Sequence, residues 1–136
     1  MVQEVHSSPP RRLAFQAKTD AAVAIPAAGN TDIIELDVSQ VARIALEIIN
    51  AGAAAFDAFL VLGKVRPDSN YVTLLSAAAD YTSPAGIVVD ASGDLTVLGA
   101  GATGWLILDA LGFTKIKLQA SSAAGGTSAS AFIGGA

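Results

Sequence analysis

The sequence predicts an all-β fold: a single antiparallel β-sandwich of jelly-roll-like form over residues 13–136, preceded by an extended N-terminal arm over residues 1–12. The chain has 136 residues, the usual size of one domain. From residue 13 onward the apolar residues recur mainly with a period of two, as in a strand with one buried face. Turn-forming residues interrupt this alternation about every 8–12 residues, the spacing typical of sandwiches and barrels.

The arm is predicted from its prolines. Pro9 and Pro10 do not fit inside regular structure, and Ser8, which precedes a proline, is disfavoured in the helical region. We expect residues 1–12 to lie extended across a neighbouring subunit, with disorder as the alternative.

The first clear strands are predicted over residues 34–39 and 42–48, where apolar and polar residues alternate. In the second, Arg43 and Glu47 are expected to face outward. The residues expected to face inward are Ile44, Leu46 and Ile48. Residues 50–52, Asn-Ala-Gly, end this strand as a turn.

The middle of the chain combines one apolar strand with the only two candidate helices. Residues 56–65 are apolar on both faces, as in a central or interface strand, and residues 71–76 form a further strand after a Pro-containing loop. Helix-favouring residues occur over 51–58, and one helical turn is possible over 75–81. Neither stretch has a long period of 3.6 residues, so both are secondary to the strands.

The last third is predicted to be strands alone. Residues 87–90 and 94–98 flank Ala-Ser-Gly and are expected to form a hairpin, with Gly93 at the position that favours positive φ. Three further strands complete the sandwich, over residues 105–108, 115–120 and 127–133.

Composition excludes several functional classes. Twelve acidic residues outnumber eight basic ones, for a net charge of −4, so nucleic acid is not expected as a partner. The longest apolar stretch, residues 44–62, contains Glu47 and Asp57, so no membrane-spanning helix is expected. The N-terminus has no apolar signal core, which favours the cytoplasm as the place of synthesis. Charged residues make up only 15% of the chain, which indicates surface buried against copies or partners.

No catalytic, cofactor or metal site is predicted. His6 is the only histidine and there is no cysteine, which leaves too few groups for a zinc site or a nucleophilic triad. Residues 99–104 match G-x-G-x-x-G, but no helix can fit after them, so a flexible glycine loop is expected. Asp90 and Asp94 flank a turn and are assigned to turn chemistry rather than to calcium.

Four carboxylates lie close together in sequence: Asp32, Glu35, Asp37 and Glu47. A pair of acids is the minimum for glycoside hydrolysis. On strands, however, Glu35 and Asp37 belong to a polar face, and we expect Arg43 to be their cross-strand partner. A solvated face is therefore the preferred interpretation, and the chain is predicted not to be an enzyme.

Several exposed or aromatic residues are candidates for binding. Lys115 and Lys117 alternate with apolar residues and share the outer face, where they are either solvated or in contact with an acidic partner. Trp105 is expected in the core, with stacking on a sugar ring as the alternative. Phe56 and Phe59 are likewise expected in the core.

The C-terminal third carries a resemblance. Residues 104–109, GWLILD, and 112–127, GFTKIKLQASSAAGGT, combine a strand, an aromatic-centred turn, an alternating basic strand and a glycine pair. This pattern resembles the closing strands of small β-sandwich virion proteins of tailed bacteriophages, most closely the capsid decoration (cement) proteins. Carbohydrate-binding or cell-surface-binding sandwiches, and other phage head or tail assembly components, have similar strands and remain alternatives.

The resemblance implies a non-enzymatic virion structural protein on the capsid surface, made in the host cytoplasm. Such a protein binds across capsomer joints, with the major capsid protein as partner and often as a homo-oligomer, a trimer. It implies no cofactor, nucleic acid or membrane. The arm would become ordered on the shell, with Arg11 and Arg12 pairing with its carboxylates, and Tyr71 is a candidate anchor. The partner-binding residues are then expected to be Val2, Val5, Arg11, Arg12, Lys115 and Lys117.

Overall fold

A computed structural model describes residues 15–27, 29–122 and 126–136. The predicted arm, residues 1–12, lies outside the described residues, as does residue 13, where the sandwich domain is predicted to begin. The assignment of Val2, Val5, Arg11 and Arg12 to partner binding therefore stays a prediction.

The described residues form ten strands, one short α-helix and one 3₁₀ turn. The strands are β1 (Phe15–Lys18), β2 (Val23–Ile25), β3 (Thr31–Asp37), β4 (Arg43–Asn50), β5 (Ala58–Lys64), β6 (Val72–Leu75), β7 (Val88–Ala91), β8 (Thr103–Asp109), β9 (Lys115–Ser121) and β10 (Thr127–Gly135). The helix is α1 (Ala78–Thr82), and the 3₁₀ turn covers Leu95–Val97.

The strands form two sheets that pack as a sandwich. The six-stranded sheet has the order β1-β10-β4-β8-β7, with β2 also paired to β10, and the four-stranded sheet has the order β3-β9-β5-β6. The strand pairs within both sheets are antiparallel. The chain crosses repeatedly from one sheet to the other, as in double-sheet jelly-roll-like folds. The predicted all-β antiparallel sandwich is confirmed.

The core lies between the sheets and follows the period-two pattern. Ile44, Leu46 and Ile48 of β4 are buried, whereas Arg43 and Glu47 are exposed, as predicted. The opposite sheet contributes further apolar side chains to the same core: Leu36, Phe59, Val61, Ile116 and Leu118. Burial of this apolar area is the main force that holds the two sheets together.

A buried asparagine fixes the end of β4. The Asn50 side-chain amide donates to the carbonyls of Ala54 at 2.8 Å and Leu98 at 2.9 Å, and its Oδ1 accepts from the Thr127 hydroxyl at 2.6 Å. Gly52 packs so closely on this site that a Cβ would overlap Thr127. The helix considered over residues 51–58 is therefore wrong, because these contacts hold the segment in bends until β5 begins.

The hairpin predicted from residues 87–90 and 94–98 is also wrong. β7 pairs instead with β8, which comes later in the chain. Residues 95–97 form the 3₁₀ turn, because the Asp94 carboxylate accepts the Thr96 N–H at 2.9 Å and caps it. Leu95 is 1% exposed, and its burial holds this turn against the core.

The helical turn considered over residues 75–81 is present in part, as α1. The Asp80 carboxylate accepts the backbone N–H groups of Ser76 and Ala77, both at 2.9 Å, and these bonds lower the pKa of Asp80. Tyr81 of α1 is buried, and its hydroxyl donates to the Phe59 carbonyl at 2.7 Å. Burial raises the pKa of the Tyr81 hydroxyl.

Candidate binding faces

The two outward surfaces of the sandwich differ in chemistry. The polar face is the outer side of the four-stranded sheet, with Asp32, Glu35, Lys64, Tyr71, Lys115, Lys117 and Gln119. The aromatic face is part of the outer side of the six-stranded sheet, with Lys18, Ala45, Glu47, Trp105, Ile107 and Phe132. Arg43 and Asp109 lie opposite each other at one end of the same side.

The polar face is held together by charge pairs between β3 and β9. Antiparallel pairing sets Glu35 opposite Lys117. The Lys117 ammonium lies 3.6 Å from Asp32, and that of Lys115 lies 3.9 Å from Glu35. Lys115 and Lys117 thus share the outer face as predicted, but each already has a carboxylate partner in the same subunit.

Tyr71 lies at the centre of the polar face. Its hydroxyl donates to the Glu35 carboxylate, and the ammonium groups of Lys117 and Lys64 lie 4.3 Å and 4.8 Å from its ring centroid. Both distances are within the range of cation–π attraction. Burial, followed by the hydrogen bond and charge of Glu35, raises the pKa of the Tyr71 hydroxyl.

The predicted pairing of Arg43 with Glu35 and Asp37 is wrong. Arg43 lies in the other sheet, opposite Asp109 of β8. The chain crosses between the sheets after β3, so strands that follow each other in sequence are not neighbours in space. Asp37 accepts hydrogen bonds from the hydroxyl and the N–H of Ser39, at 2.7 Å and 3.0 Å, and these lower its pKa.

The aromatic face carries one row of side chains across four adjacent strands. Lys18 of β1 pairs with Phe132 of β10, Phe132 with Glu47 of β4, and Glu47 with Trp105 of β8. Neighbouring strands are about 4.8 Å apart, so the two aromatic residues are about 10 Å apart, with Glu47 between them. Phe132 is 42% exposed and Trp105 41%.

The surroundings of this row are small or apolar. In the adjacent row Ala45 pairs with both Gly134 and Ile107. Among the residues that the structure describes, neither Lys18 nor Glu47 forms an ion pair. Around this row the aromatic face therefore exposes apolar area and two charges, Lys18 and Glu47, that form no ion pair with another described residue.

Trp105 was expected in the core, and the structure shows it exposed. Leu106 and Leu108 are fully buried, so alternation along β8 turns Trp105 outward. Phe132 was not singled out from the sequence, although Ala131 and Ile133 beside it are buried and fix its direction in the same way. The predicted core positions of Phe56 and Phe59 are confirmed.

The remaining sequence candidates have structural roles. Gly104, the last glycine of G-x-G-x-x-G, lies in β8, and none of the described residues after it forms a helix. The carboxylate of Asp90 accepts the N–H of Ala91, and that of Asp94 caps the 3₁₀ turn. Within residues 15–27, 29–122 and 126–136, no cluster of three or more His, Cys, Asp or Glu residues could hold a metal ion. No described helix is long and apolar enough to cross a membrane.

Two open grooves lie at the margins of the sheets. One, of about 440 Å³, lies where β1 pairs with β10 and is lined by Lys18, Phe132 and Gly134, among others. The second, of about 400 Å³, lies at the end of the four-stranded sheet and is lined mainly by apolar atoms, including those of Val72 and Phe113. The first groove is continuous with the aromatic face.

Comparisons with known proteins identify no family. No protein-family model matches the chain, and no curated protein matches it. Among solved structures, the chain is similar to the crystal structure of SPBc2 prophage-derived protein YomS, with 12% sequence identity and a TM-score of 0.46. The alignment covers 91% of this chain and 98% of that chain.

Proposed function

We propose that the protein is a non-enzymatic virion structural protein that decorates and stabilises a bacteriophage capsid. It would bind across the joints between capsomers on the capsid surface, with the major capsid protein as its partner. The observation that carries the proposal is the exposed aromatic face. A charge-poor chain that turns a tryptophan and a phenylalanine to solvent has surface suited to burial in an assembly.

The segment that resembles decoration proteins contributes to both outer faces. Its first part is β8, between β4 and β7, and its second part includes β9, between β3 and β5. It supplies Trp105 to the aromatic face and Lys115 and Lys117 to the polar face. A single segment thus supplies side chains to both surfaces with which a decoration protein could contact its neighbours.

Binding to the shell would combine many modest contacts. A standard interface of about 1,600 Å² gives stable association, and repeated copies on a lattice add avidity. Lys115 and Lys117, whose side chains are 34% and 18% exposed, would add shell carboxylates to their present partners, Glu35 and Asp32, and would not exchange them. Arg11 and Arg12 would pair with further carboxylates, and the trimer implied by the resemblance is part of the same proposal.

The direct test is co-sedimentation with empty capsids of the phage that encodes this chain. We expect saturable binding at a stoichiometry fixed by the lattice, and capsids that resist heat and low salt better once decorated. Absence of the protein from the pellet at saturating concentration would contradict the proposal. Pelleting with isolated tails instead of capsids would favour another assembly role.

The arm has its own test. Deletion of residues 1–12 is expected to weaken capsid binding, because the arm no longer becomes ordered on the neighbouring shell. The melting temperature of the isolated protein should stay unchanged. If the truncated protein binds capsids as tightly as the full chain, the arm has no part in binding.

A second candidate function, carbohydrate binding, is favoured by one observation. Trp105 is exposed on a sheet surface, with Phe132 about 10 Å away, and aromatic faces of this kind can stack on sugar rings. Trp105 is the only tryptophan in the sequence, so its fluorescence reports directly on this face. A shift in emission with an oligosaccharide panel, lost in Trp105→Ser, would support this function. Unchanged emission across the panel would remove it.

A further inference from the structure

Glu47 limits what can cover the aromatic face. Glu47 lies between Phe132 and Trp105 in its row, and the flanking rows carry Gly134, Ala45 and Ile107 on one side and Ser130, Ile49 and Thr103 on the other. A carboxylate taken out of water without a partner is strongly destabilising, because a charge buried in apolar surroundings loses its hydration. A molecule that covers this row must therefore bring a cation or hydrogen-bond donors to Glu47, and a cation pairs with its charge most strongly.

Lys18, on β1 beside Phe132, has the opposite requirement, because a molecule that covers it must bring an anion or a hydrogen-bond acceptor. The row is thus antisymmetric about Phe132, with a cation one strand away on β1 and an anion one strand away on β4. A two-fold axis that runs along β10 at Phe132 exchanges these two positions. The partner that satisfies both charges is then a second copy of the same face.

We infer that the aromatic face binds a second copy of this chain, face to face, around a two-fold axis at Phe132. Lys18 of each copy pairs with Glu47 of the other, and the two Phe132 rings meet on the axis in an offset stack. This is an isologous contact, in which the same patch is used twice. It uses the part of the aromatic face around Phe132, which leaves Trp105 and the polar face for the shell contact of the proposed function, and a trimer would use a different surface.

The strand on the axis is shaped for close approach. The outward residues of β10 other than Phe132 are small: Ser128, Ser130 and Gly134. Small residues allow the two β10 strands to come near each other while the phenylalanine rings fill the centre. Trp105 lies two strands from the axis, beyond the β1 edge of the second copy, so it is peripheral to this contact.

The contact is small, and this sets its strength. With strands about 4.8 Å apart and a rise of about 3.3 Å per residue, the overlapping strands cover about 400 Å² per copy. That is roughly half of the 800 Å² per partner in a standard interface, so a reversible dimer is expected instead of a permanent one. On a capsid lattice, copies held side by side would form it more readily because their local concentration is high.

The test is sedimentation velocity on the full chain from about 10 µM to 1 mM. We expect the sedimentation coefficient to rise from monomer towards dimer across this range. Lys18→Glu and Glu47→Lys each place like charges opposite one another twice per dimer, and each should weaken dimerisation about tenfold or more. The double variant Lys18→Glu/Glu47→Lys restores opposite charges and should recover the dimer.

Matched controls separate this contact from general charge effects. Arg66→Glu and Asp68→Lys make the same two changes in charge on an exposed loop, where Arg66 Nε lies 3.7 Å from the Asp68 carboxylate. Both variants should dimerise like the unmodified protein. Phe132→Ser should abolish it, whereas Trp105→Ser should have little effect. Circular dichroism melting confirms that each variant is folded.

Three results would overturn the inference: a monomer at every concentration, a dimer insensitive to both single charge reversals, or failure of the double variant to recover. The proposed function is judged separately. Capsid binding by a Phe132→Ser protein that no longer dimerises leaves decoration intact, whereas dimerisation without capsid binding leaves the inference intact and removes decoration.

Discussion

The polar face and the aromatic face cover the same core, yet they satisfy their charges in different ways. On the polar face, Glu35 contacts Tyr71 and Lys115 within the same subunit. On the aromatic face, Glu47 has two aromatic residues as its cross-strand neighbours. The charges of the polar face therefore have partners within one subunit, whereas Glu47 has no charged residue as a cross-strand neighbour.

The largest expected effect comes from the core that both faces share. Leu118 lies beneath the polar face and Leu106 beneath the aromatic face, and both are fully buried. Leu118→Ala and Leu106→Ala should each lower the free energy of unfolding by about 2–5 kcal/mol, because each leaves a cavity. Denaturant titration measures this. A loss below 1 kcal/mol in either variant would show that the sheets do not share one packed core.

Asn50→Ala tests the buried hydrogen-bond network around the Asn50 side chain at the end of β4. The carbonyls of Ala54 and Leu98 and the hydroxyl of Thr127 would lose their side-chain partner. Unsatisfied buried groups cost about 1–3 kcal/mol, and a destabilisation in that range is expected by chemical denaturation. Asn50→Asp is the matched variant, since it keeps the acceptor but loses the donor. An unchanged free energy of unfolding in Asn50→Ala would show that this hydrogen-bond network does not stabilise the fold.

Alkaline titration should distinguish the faces, because the polar face contains Tyr71 and the aromatic face has no tyrosine. The pKa of Tyr71 is raised in the folded state, so the neutral hydroxyl stabilises the fold below the ordinary tyrosine pKa of about 10. This stabilisation is lost as the pH rises above 10. Tyr71→Phe should reduce the loss of stability above pH 10 and leave only the part of that loss that is due to Tyr81. An unchanged curve would show that the hydroxyl of Tyr71 adds nothing.

The smallest effect on stability is expected on the aromatic face. Phe132→Ser and Trp105→Ser replace residues that are about two-fifths exposed and pack only on strand neighbours, so each should lower the free energy of unfolding by about 1 kcal/mol. Thermal melting at low protein concentration measures this without the dimer. A loss above 2 kcal/mol would mean that these residues stabilise the subunit and are not reserved for binding.

Strand positions could be predicted from the sequence because they depend on local alternation. Ile44, Leu46 and Ile48 face inward as predicted, and Lys115 and Lys117 face outward. The alternation along β8 also predicts the outward direction of Trp105, and here it outweighs the tendency of tryptophan to be largely buried. Phe132 could have been found by the same alternation.

Pairing between strands could not be predicted, because it depends on contacts distant in sequence. Arg43 follows Glu35 closely along the chain, yet the two lie in different sheets. The row that joins Lys18, Phe132 and Glu47 brings together residues from the two ends and the middle of the chain. No local pattern encodes such a row, so the aromatic face became visible only in the structure.

The central claim, that in solution the aromatic face binds a second copy and the polar face does not, is tested most directly by carboxyl footprinting. The protein is labelled with a carbodiimide and an amine at low and high concentration, and modification of Glu47 and Glu35 is measured by mass spectrometry. We predict that labelling of Glu47 falls as the concentration rises, while labelling of Glu35 stays constant. Constant labelling of Glu47, or protection of Glu35 instead, would contradict the account.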